Sequence, residues 1–540
     1  MPDASSADIR RQSGWHVRWH GRHVFMKRFL VGLFVTSLGA LLMFAGGDRW
    51  RPPSEAESLS AQLTLSGRVV DAAGPVQGAR VRIKGRSAST LTDRRGQFLL
   101  PLSAEGVERV TASKTGYLIQ GIAPGSDPLW IDLQRLPLDD YVGYHWVDPT
   151  PNPSERHQCG NCHQQIFDEW HRSGHANSAG NRRFLSLYQG TDWNGRPGHG
   201  WNLMADHPLG IGVCAACHAP GIDFEGGATD DMRHVSGVAA QGVHCDFCHK
   251  IQDVDSDGIG LTHGRYGYQL LRPREGQLFF GPLDDVDRGE DVFSPLQSES
   301  RYCAACHEGV VFGIHVYSTY SEWLDSPARR QGRQCQTCHM APTGNMTNMA
   351  PGGDGIERDP ATLSSHTFLP GGLQQMLRES IEVDVTLEQR GDSLQCTVTL
   401  LARDAGHRVP TGFIDRHLLL VVEPLDTRGR RLKVTRGPTL PDVAGERLTG
   451  LSGRVFARRL VDESGNGPVP FWRAAKVAHD TRLFPGETET TLMELPAITH
   501  RVRVRVLYRR FWQTVTLAKR WPDDTTVVFD RYTIVETSRD

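Results

Sequence analysis

Net charge is almost absent from this chain. Lys and Arg number 60 and Asp and Glu 62, so the formal net charge is −2 over 540 residues. This balance gives no indication of nucleic-acid binding, and we expect none. A basic cluster does lie near the N-terminus, but membrane topology explains it better.

Long apolar runs are also scarce. One uncharged segment, Phe29 to Gly46, has 18 residues and is close to the lower limit for spanning a bilayer. The basic residues before it are Arg10, Arg11, Arg18, Arg22, Lys27 and Arg28. By the positive-inside rule, they predict an inner-membrane anchor with the bulk of the chain in the periplasm. The alternative is a signal peptide cleaved near Ala45-Gly46-Gly47, with release to the periplasm or the cell surface.

Unpaired cysteine is nearly absent, because ten of the eleven cysteines form five Cys-x-x-Cys pairs. A histidine follows every pair. Numbered one to five in chain order, the motifs are Cys159-Gly160-Asn161-Cys162-His163, Cys214-Ala215-Ala216-Cys217-His218, Cys245-Asp246-Phe247-Cys248-His249, Cys303-Ala304-Ala305-Cys306-His307 and Cys335-Gln336-Thr337-Cys338-His339. The eleventh, Cys396, lies in an apolar, strand-like run that predicts a buried, inert thiol.

Cys-x-x-Cys-His is the attachment pattern of c-type haem. Both cysteines lie on one side of a short helical turn and can form thioethers with one porphyrin, while the histidine becomes the proximal iron ligand. Zinc ribbons, local disulfides and redox dithiols also use cysteine pairs, but none requires the histidine. Since histidine is 23 of 540 residues, five chance occurrences amount to about one in ten million. The pattern predicts five covalently attached haem c groups and export from the cytoplasm.

The first folded region is predicted to be a small β-sandwich. After a basic cytoplasmic segment (1–28), the membrane segment (29–47) and a linker (48–60), residues 61–136 alternate apolar side chains between glycine turns. The glycines, the Thr92-Asp93-x-x-Gly96-x-Phe98 turn and the Gly116-Tyr117 corner resemble the carboxypeptidase regulatory-like, transthyretin-like module. That resemblance implies a spacer or interaction domain.

Residues 140–372 carry the five motifs and lack sustained periodicity. We expect a mostly helical and irregular pentahaem domain, because apolar porphyrin faces can replace a side-chain core. The motifs follow one another at alternating long and short intervals, which predicts close pairs at motifs two and three and at motifs four and five. Residues 378–540 return to strand patterns, including Val502-Arg503-Val504-Arg505-Val506, and predict a second β-sandwich.

The runs around motifs one, three and four resemble the multihaem cytochrome c superfamily, which includes tetrahaem cytochromes and hydroxylamine oxidoreductase relatives. By this resemblance, His175 in Trp170-x-x-Ser173-x-His175 and His366 in Ser365-His366-Thr367-Phe368 are distal iron ligands. His407, in Gly406-His407-Arg408-Val409-Pro410-Thr411-Gly412, would let the second sandwich cap a haem. The remaining distal candidates are His234, His263 and His315. Abundant histidine favours mainly bis-histidine, low-potential haems.

Electron transfer between a redox donor protein and an acceptor protein is the function that five haems favour. The alternative is a multihaem oxidoreductase that acts on a small inorganic nitrogen or sulfur compound at one open haem. No motif ends in lysine, as some reductases of this kind do, and no catalytic residue is assigned. A third hypothesis makes the chain an adhesion or assembly module, which does not account for five haems.

Overall fold

Two β-rich regions flank a middle region of short helices in the structure, a computed structural model that describes residues 64–102, 106–125, 128–209, 212–222 and 231–535. The predicted segments 1–28, 29–47 and 48–60 lie outside these ranges. Among the described residues, no helix is long and apolar enough to cross a membrane. This multidomain order, a β domain, a helical middle and a β-rich C-terminal region, agrees with the predicted fold class.

The first region is a sandwich of two small sheets. Its strands are β1 (Thr64–Asp71), β2 (Gly74–Pro75), β3 (Arg80–Ile83), β4 (Ser89–Leu91), β5 (Gln97–Pro101), β6 (Val110–Ser113), β7 (Gln120–Ile122) and β8 (Leu129–Asp132). One sheet has the order β2-β1-β5 with β8 parallel to β1, and the other has the order β4-β3-β6-β7. Val69, Val81, Leu100 and Ile131 are fully buried between them. Alternation of apolar and polar residues therefore places one face of each sheet in the core.

The middle region consists of short helices joined by long loops. The helices are α1 (Cys159–Cys162), α2 (Gln164–His171), α3 (Arg182–Gln189), α4 (Leu203–Asp206), α5 (Cys214–His218), α6 (Cys245–Cys248), α7 (Arg301–His307), α8 (Thr319–Leu324), α9 (Pro327–Arg330) and α10 (Cys335–His339). Three two-stranded sheets lie between them: β9 (Ile251–Val254) with β10 (Tyr268–Leu270), β11 (Phe279–Gly281) with β12 (Asp291–Phe293), and β13 (Glu308–Val311) with β14 (Ile314–Ser318).

The C-terminal region contains a three-stranded and a five-stranded sheet. After α11 (Leu373–Ser380) come β15 (Ile381–Arg390), β16 (Ser393–Ala402), β17 (His417–Leu425), β18 (Ser452–Val461), β19 (Lys476–Asp480), β20 (Thr488–Pro496), β21 (Arg501–Arg509), α12 (Gln513–Ala518) and β22 (Thr526–Ile534). The sheet orders are β15-β16-β20 and β19-β18-β17-β21-β22.

The core of this region lies between the two sheets and follows the alternation in the sequence. Val502, Val504 and Val506 on β21 are fully buried, whereas the first arginine of the strand, Arg501, is exposed. Cys396 on β16 is fully buried in the same core. Burial raises the pKa of its thiol to about 12, as expected for an unreactive cysteine.

The loop between β11 and β12 packs against the first sandwich through two aspartates, Asp285 and Asp287. We call it the acidic loop. Asp285 is fully buried, binds Arg358 through both carboxylate oxygens and accepts a hydrogen bond from the backbone of Gly85 at 2.7 Å. Asp287 pairs with Lys84 at 2.6 Å and also with Arg109. Because both carboxylates are almost inaccessible to water, their partners replace the lost hydration. Gly85, Lys84 and Arg109 belong to the first sandwich and hold it against the loop, whereas Arg358 belongs to the middle region.

Replacement of Asp285 by alanine should strongly destabilise the folded protein. It leaves the Arg358 guanidinium, whose side chain is 9% exposed, without its carboxylate, and loss of one partner of a buried pair costs about 3–5 kcal/mol. Thermal denaturation measures the effect. The control is Asp530→Ala, which removes the partner of Arg503 from a pair whose side chains are 31% and 32% exposed and should cost about 0–1 kcal/mol. Equal losses in the two variants would contradict this account of the junction.

Candidate haem-binding site

Each of the five motifs lies on a short helix, α1, α5, α6, α7 or α10, that ends within a residue of the motif histidine. A single helical turn places the two cysteines of each motif on the same side. All ten motif cysteines are partly buried, and none of them forms a disulfide bond in the described structure. Disulfide bonding therefore does not compete with covalent attachment of a cofactor at these residues.

The motif histidines are oriented by the backbone of distant segments. In four of the five, the ring nitrogen Nδ1 lies within hydrogen-bond distance of a carbonyl oxygen. The pairs are His163 with Met349 (2.8 Å), His218 with Ser178 (3.1 Å), His249 with Phe280 (2.6 Å) and His339 with Phe368 (2.8 Å). A carbonyl can only accept, so Nδ1 must carry the proton and Nε2 keeps the lone pair that binds a metal.

Burial favours the neutral imidazole at four of the motif histidines, His163, His218, His249 and His307. It lowers the pKa of His163, His218 and His249 below the ordinary value for histidine. The pKa of His307 falls to about 3, because burial is reinforced by the neighbouring charge of His175. A neutral imidazole is the form that ligates a metal, so no proton has to be displaced from these rings near neutral pH.

His175 faces the histidine of motif four. Their ring centroids are 6.1 Å apart, with an angle of 79° between the ring planes. A metal–imidazole bond is about 2 Å long and a ring centroid lies roughly 1 Å beyond its nitrogen, so two imidazoles on opposite sides of one iron have centroids about 6 Å apart. The two rings thus fit a bis-histidine iron site.

His407 faces the histidine of motif five with the same spacing. The centroids of His339 and His407 are 6.1 Å apart, and their planes differ by 17°. The Nδ1 of His407 lies 3.0 Å from the carbonyl oxygen of Arg408, which leaves its Nε2 available. The loop between β16 and β17 thus brings a histidine of the C-terminal region to a motif of the middle region.

The segment around His175 is held in place by hydrogen bonds of Trp170, Ser173 and Ser178. The indole of Trp170 donates to the carbonyl of Val243 at 2.8 Å, just before motif three. The hydroxyl of Ser173 accepts from the His175 backbone at 3.1 Å, and the Ser178 hydroxyl contacts the His218 carbonyl at 2.7 Å. Residues 170–178 therefore link the segments of motifs two and three.

His366 lies close enough to His249 of motif three for the two rings to interact electrostatically. Glu169 on α2 accepts hydrogen bonds from the His366 backbone at 2.7 Å and the Ser365 hydroxyl at 3.0 Å, which fixes the loop. The ring Nδ1 is buried without a hydrogen-bond partner among the described residues. Burial, reinforced by the charge of His249, lowers the pKa of His366 to about 4. The ring is available to a ligand, and Glu169 is a positioning residue that the sequence patterns did not indicate.

The other three predicted distal ligands have different surroundings. The side chain of His234 is 71% exposed and lies 3.9 Å from Asp231. Both ring nitrogens of His263 lie against carbonyl oxygens, of Leu261 at 3.1 Å and Val310 at 3.2 Å. The Nε2 of His315 forms a hydrogen bond with the carboxylate of Glu308. Contacts of this kind do not support ligation by these three residues, which remains a prediction.

The contacts between motifs do not follow the order of the motifs along the chain. The thiols of Cys159 and Cys245, of Cys217 and Cys306, and of Cys303 and Cys335 are close enough to hydrogen-bond. Motif four therefore contacts motifs two and five, while motif one contacts motif three. The alternating spacing predicted close haem pairs at motifs two and three and at motifs four and five. The thiols of motifs four and five do lie close together, and the pair at motifs two and three stays a prediction. Chain spacing does not report which loops fold back on each other.

Two parts of the chain match known families. Residues 64–124 match the family model of the carboxypeptidase regulatory-like domain. Residues 158–250, which contain motifs one to three, match that of cytochrome c554 and c-prime. Both resemblances noted in the sequence are thereby confirmed. None of the curated proteins compared matches the chain.

Among solved structures, a penta-heme cytochrome c552 from Thermochromatium tepidum has a similar fold. It is 24% identical, with a TM-score of 0.52, and the match covers 70% of this chain and 97% of that one. A cohesin–X-dockerin complex from Acetivibrio cellulolyticus is 28% identical over 13% of this chain and 51% of that one, with a TM-score of 0.11. That score is too low to support an argument.

Replacement of His407 by alanine should convert one ferric centre from low spin to high spin. The change removes one of two facing rings 6.1 Å apart and leaves every attachment cysteine in place. Electron paramagnetic resonance of the oxidised protein measures the spin state, and intact mass verifies that the haem number is unchanged. His479→Ala, which replaces an exposed histidine on β19, is the control and should leave the spectrum unaltered. An unchanged spectrum in His407→Ala would refute the ligand assignment.

Proposed function

We propose that this chain is an exported c-type cytochrome with five covalently attached haems that carries electrons between a donor protein and an acceptor protein. The observation that supports it best is the pair of facing histidines at motifs four and five, each with ring centroids 6.1 Å apart. Iron held between two imidazoles has no open position for substrate, which suits electron transfer rather than catalysis. Haem c supplies one-electron exchange between ferric and ferrous iron when bound.

The residues around the motifs keep the ligands fixed and away from water. His175, His307 and His366 each have a pKa lowered by burial, to about 4, about 3 and about 4. Rings that are neutral and enclosed need little rearrangement when the charge at the metal changes. Hydrogen bonds from Nδ1 to the backbone add to this rigidity at motifs one, two, three and five.

The contacts between motifs support a continuous path for electrons. Beyond the three thiol contacts, the Tyr302 hydroxyl donates to the carbonyl of Cys248 at 2.8 Å and joins motif four to motif three. Motif four therefore touches motifs two, three and five, and motif one is reached through motif three. This arrangement favours a branched path with motif four at its centre.

The membrane anchor belongs to the same proposal. The apolar run Phe29 to Gly46, preceded by basic residues, supports an inner-membrane anchor with the rest of the chain in the periplasm. Covalent haem attachment would then take place on the side of the membrane that holds the cytochrome region. The first sandwich is a spacer or interaction domain in this arrangement.

A second function is favoured by the surroundings of motif two. In the described part of the chain, the ring that stacks on His218 is Phe184, with centroids 3.9 Å apart. Buried Tyr317, whose pKa is raised by desolvation, lies near Cys217, Cys214 and Arg416. A phenol and a guanidinium can both donate to an oxyanion. The alternative is therefore an oxidoreductase for a small inorganic nitrogen or sulfur compound at motif two.

Five covalent haems per chain should be counted in the purified protein by the pyridine haemochrome assay. Replacing Cys335 and Cys338 together by serine removes both thioether positions of motif five and should reduce the count to four. Cys396→Ser, in the β-sandwich core, is the control and should leave the count at five. A denaturing gel without peroxidase-active stain, after expression with the maturation machinery, would refute covalent attachment altogether.

Addition of cyanide or nitrite to the oxidised protein separates the two functions. If electron transfer is the function, every ferric signal is low spin and neither ligand alters it, because two histidines occupy each iron. If motif two is open, a high-spin signal is present and shifts when the ligand is added. Phe184→Ala tests the assignment to motif two, since it should perturb that signal and leave the low-spin signals of motifs four and five unaltered.

A further inference from the structure

A buried carboxylate lies behind the loop that carries His407. Glu322 on α8 belongs to the middle region, and its side chain is only 6% exposed. One carboxylate oxygen accepts from the Ser318 hydroxyl at 2.5 Å, and the other accepts from the Thr411 hydroxyl at 2.7 Å. Thr411 follows His407 by four residues. Glu322 is therefore attached to the loop that presents the distal ring of motif five.

The C-terminal region supplies the cations that balance this carboxylate. Arg482 lies 2.7 Å from Glu322 and Arg458 lies 3.4 Å from it, and their side chains are 5% and 11% exposed. Both arginines also bind Asp480, at 2.8 Å and 3.3 Å. The network thus holds two carboxylates and two guanidiniums, with a net charge of zero.

The network is also attached to the loop that carries His407 and to β14. Arg482 donates to the carbonyl of Pro410 at 3.3 Å, and Arg458 donates to the carbonyl of His315 at 2.7 Å and the hydroxyl of Ser318 at 2.7 Å. The charges of Glu322 and Arg482 both act on the His407 ring. Charges in an enclosed, poorly hydrated site interact more strongly than on a surface.

We propose that Arg482 and Arg458 of the C-terminal region neutralise Glu322 and thereby set the reduction potential of the motif-five site. The same region also supplies His407 as a ligand of this site. This inference rests on the proposed function, because it assumes that motif five holds a haem between His339 and His407. It makes the C-terminal sandwich a redox-tuning element and Glu322, Arg458 and Arg482 positioning and charge-balancing residues.

The sign of the effect follows from electrostatics. Ferric iron carries one more positive charge than ferrous iron, so a nearby negative charge stabilises the oxidised form. Glu322→Gln leaves the network with one excess positive charge and should raise the potential. Arg482→Gln leaves one excess negative charge and should lower it. A purely structural role for these pairs would predict no such opposite signs.

The experiment is a spectroelectrochemical titration of the haem-loaded protein. The motif-five component is identified as the one whose spin state changes in His407→Ala. Glu322→Gln should favour reduction of this component about tenfold, and Arg482→Gln should disfavour it about tenfold, each corresponding to about 59 mV for a one-electron couple. Arg482→Lys keeps the charge and should move the potential by much less.

The double variant Glu322→Gln with Arg482→Gln removes one charge of each sign and should return the potential close to that of the natural protein. If Arg482→Gln does not accumulate as folded protein, Glu322→Gln and the neutral double variant carry the same test. Shifts of the same sign in both single variants, or changes below about twofold in folded, loaded protein, would overturn the inference. Absence of any reversible titration in the unaltered protein would instead refute the proposed function.

Discussion

The structure depends on one recurrent interaction, the hydrogen bond between a motif histidine and a backbone carbonyl far away in the chain. The carbonyl oxygens that accept these hydrogen bonds belong to Met349 for His163, Ser178 for His218, Phe280 for His249 and Phe368 for His339. A motif alone can attach a porphyrin, but it does not fix the direction of its imidazole. Each of these four sites is therefore complete only when a remote loop has folded against its helix, which would couple metal ligation to the tertiary fold.

Local signals in the sequence were sufficient for the motifs and for much of the β structure. The Cys-x-x-Cys-His pattern identifies every motif helix, and the Val-Arg alternation identifies the buried face of β21. His175 and His407 were predicted as distal ligands by resemblance to multihaem cytochromes. Each lies opposite a motif histidine, and ligation of iron by either stays a prediction. The sequence did not indicate which motif each of these histidines faces. His175 follows motif one in the chain, yet its ring faces the histidine of motif four.

The weaker distal predictions show what sequence patterns omit. His263 and His315 are near the motifs in the chain, yet backbone carbonyls surround one ring and Glu308 binds the other. A histidine in a loop is satisfied by whichever acceptor is closest, and this acceptor comes from tertiary contacts. The same reason explains why Glu169 and Glu322 were not identified: a glutamate on a short amphipathic helix has no local sign of being buried.

The two β-sandwiches contact the middle region through different chemistry, and this difference bears on their roles. The first sandwich presents Lys84, Arg109 and a backbone amide to an acidic loop, contacts that fasten it without adding any ligand. The C-terminal sandwich instead contributes the His407 ring and two buried arginines. A buried charge network of this kind is costly to desolvate and is weak evidence for stability alone. Its position behind a ligand loop, with both signs present in equal number, is the arrangement that would hold the electrostatic potential at motif five constant. The C-terminal sandwich is thus better regarded as part of the candidate haem-binding region than as an appended domain.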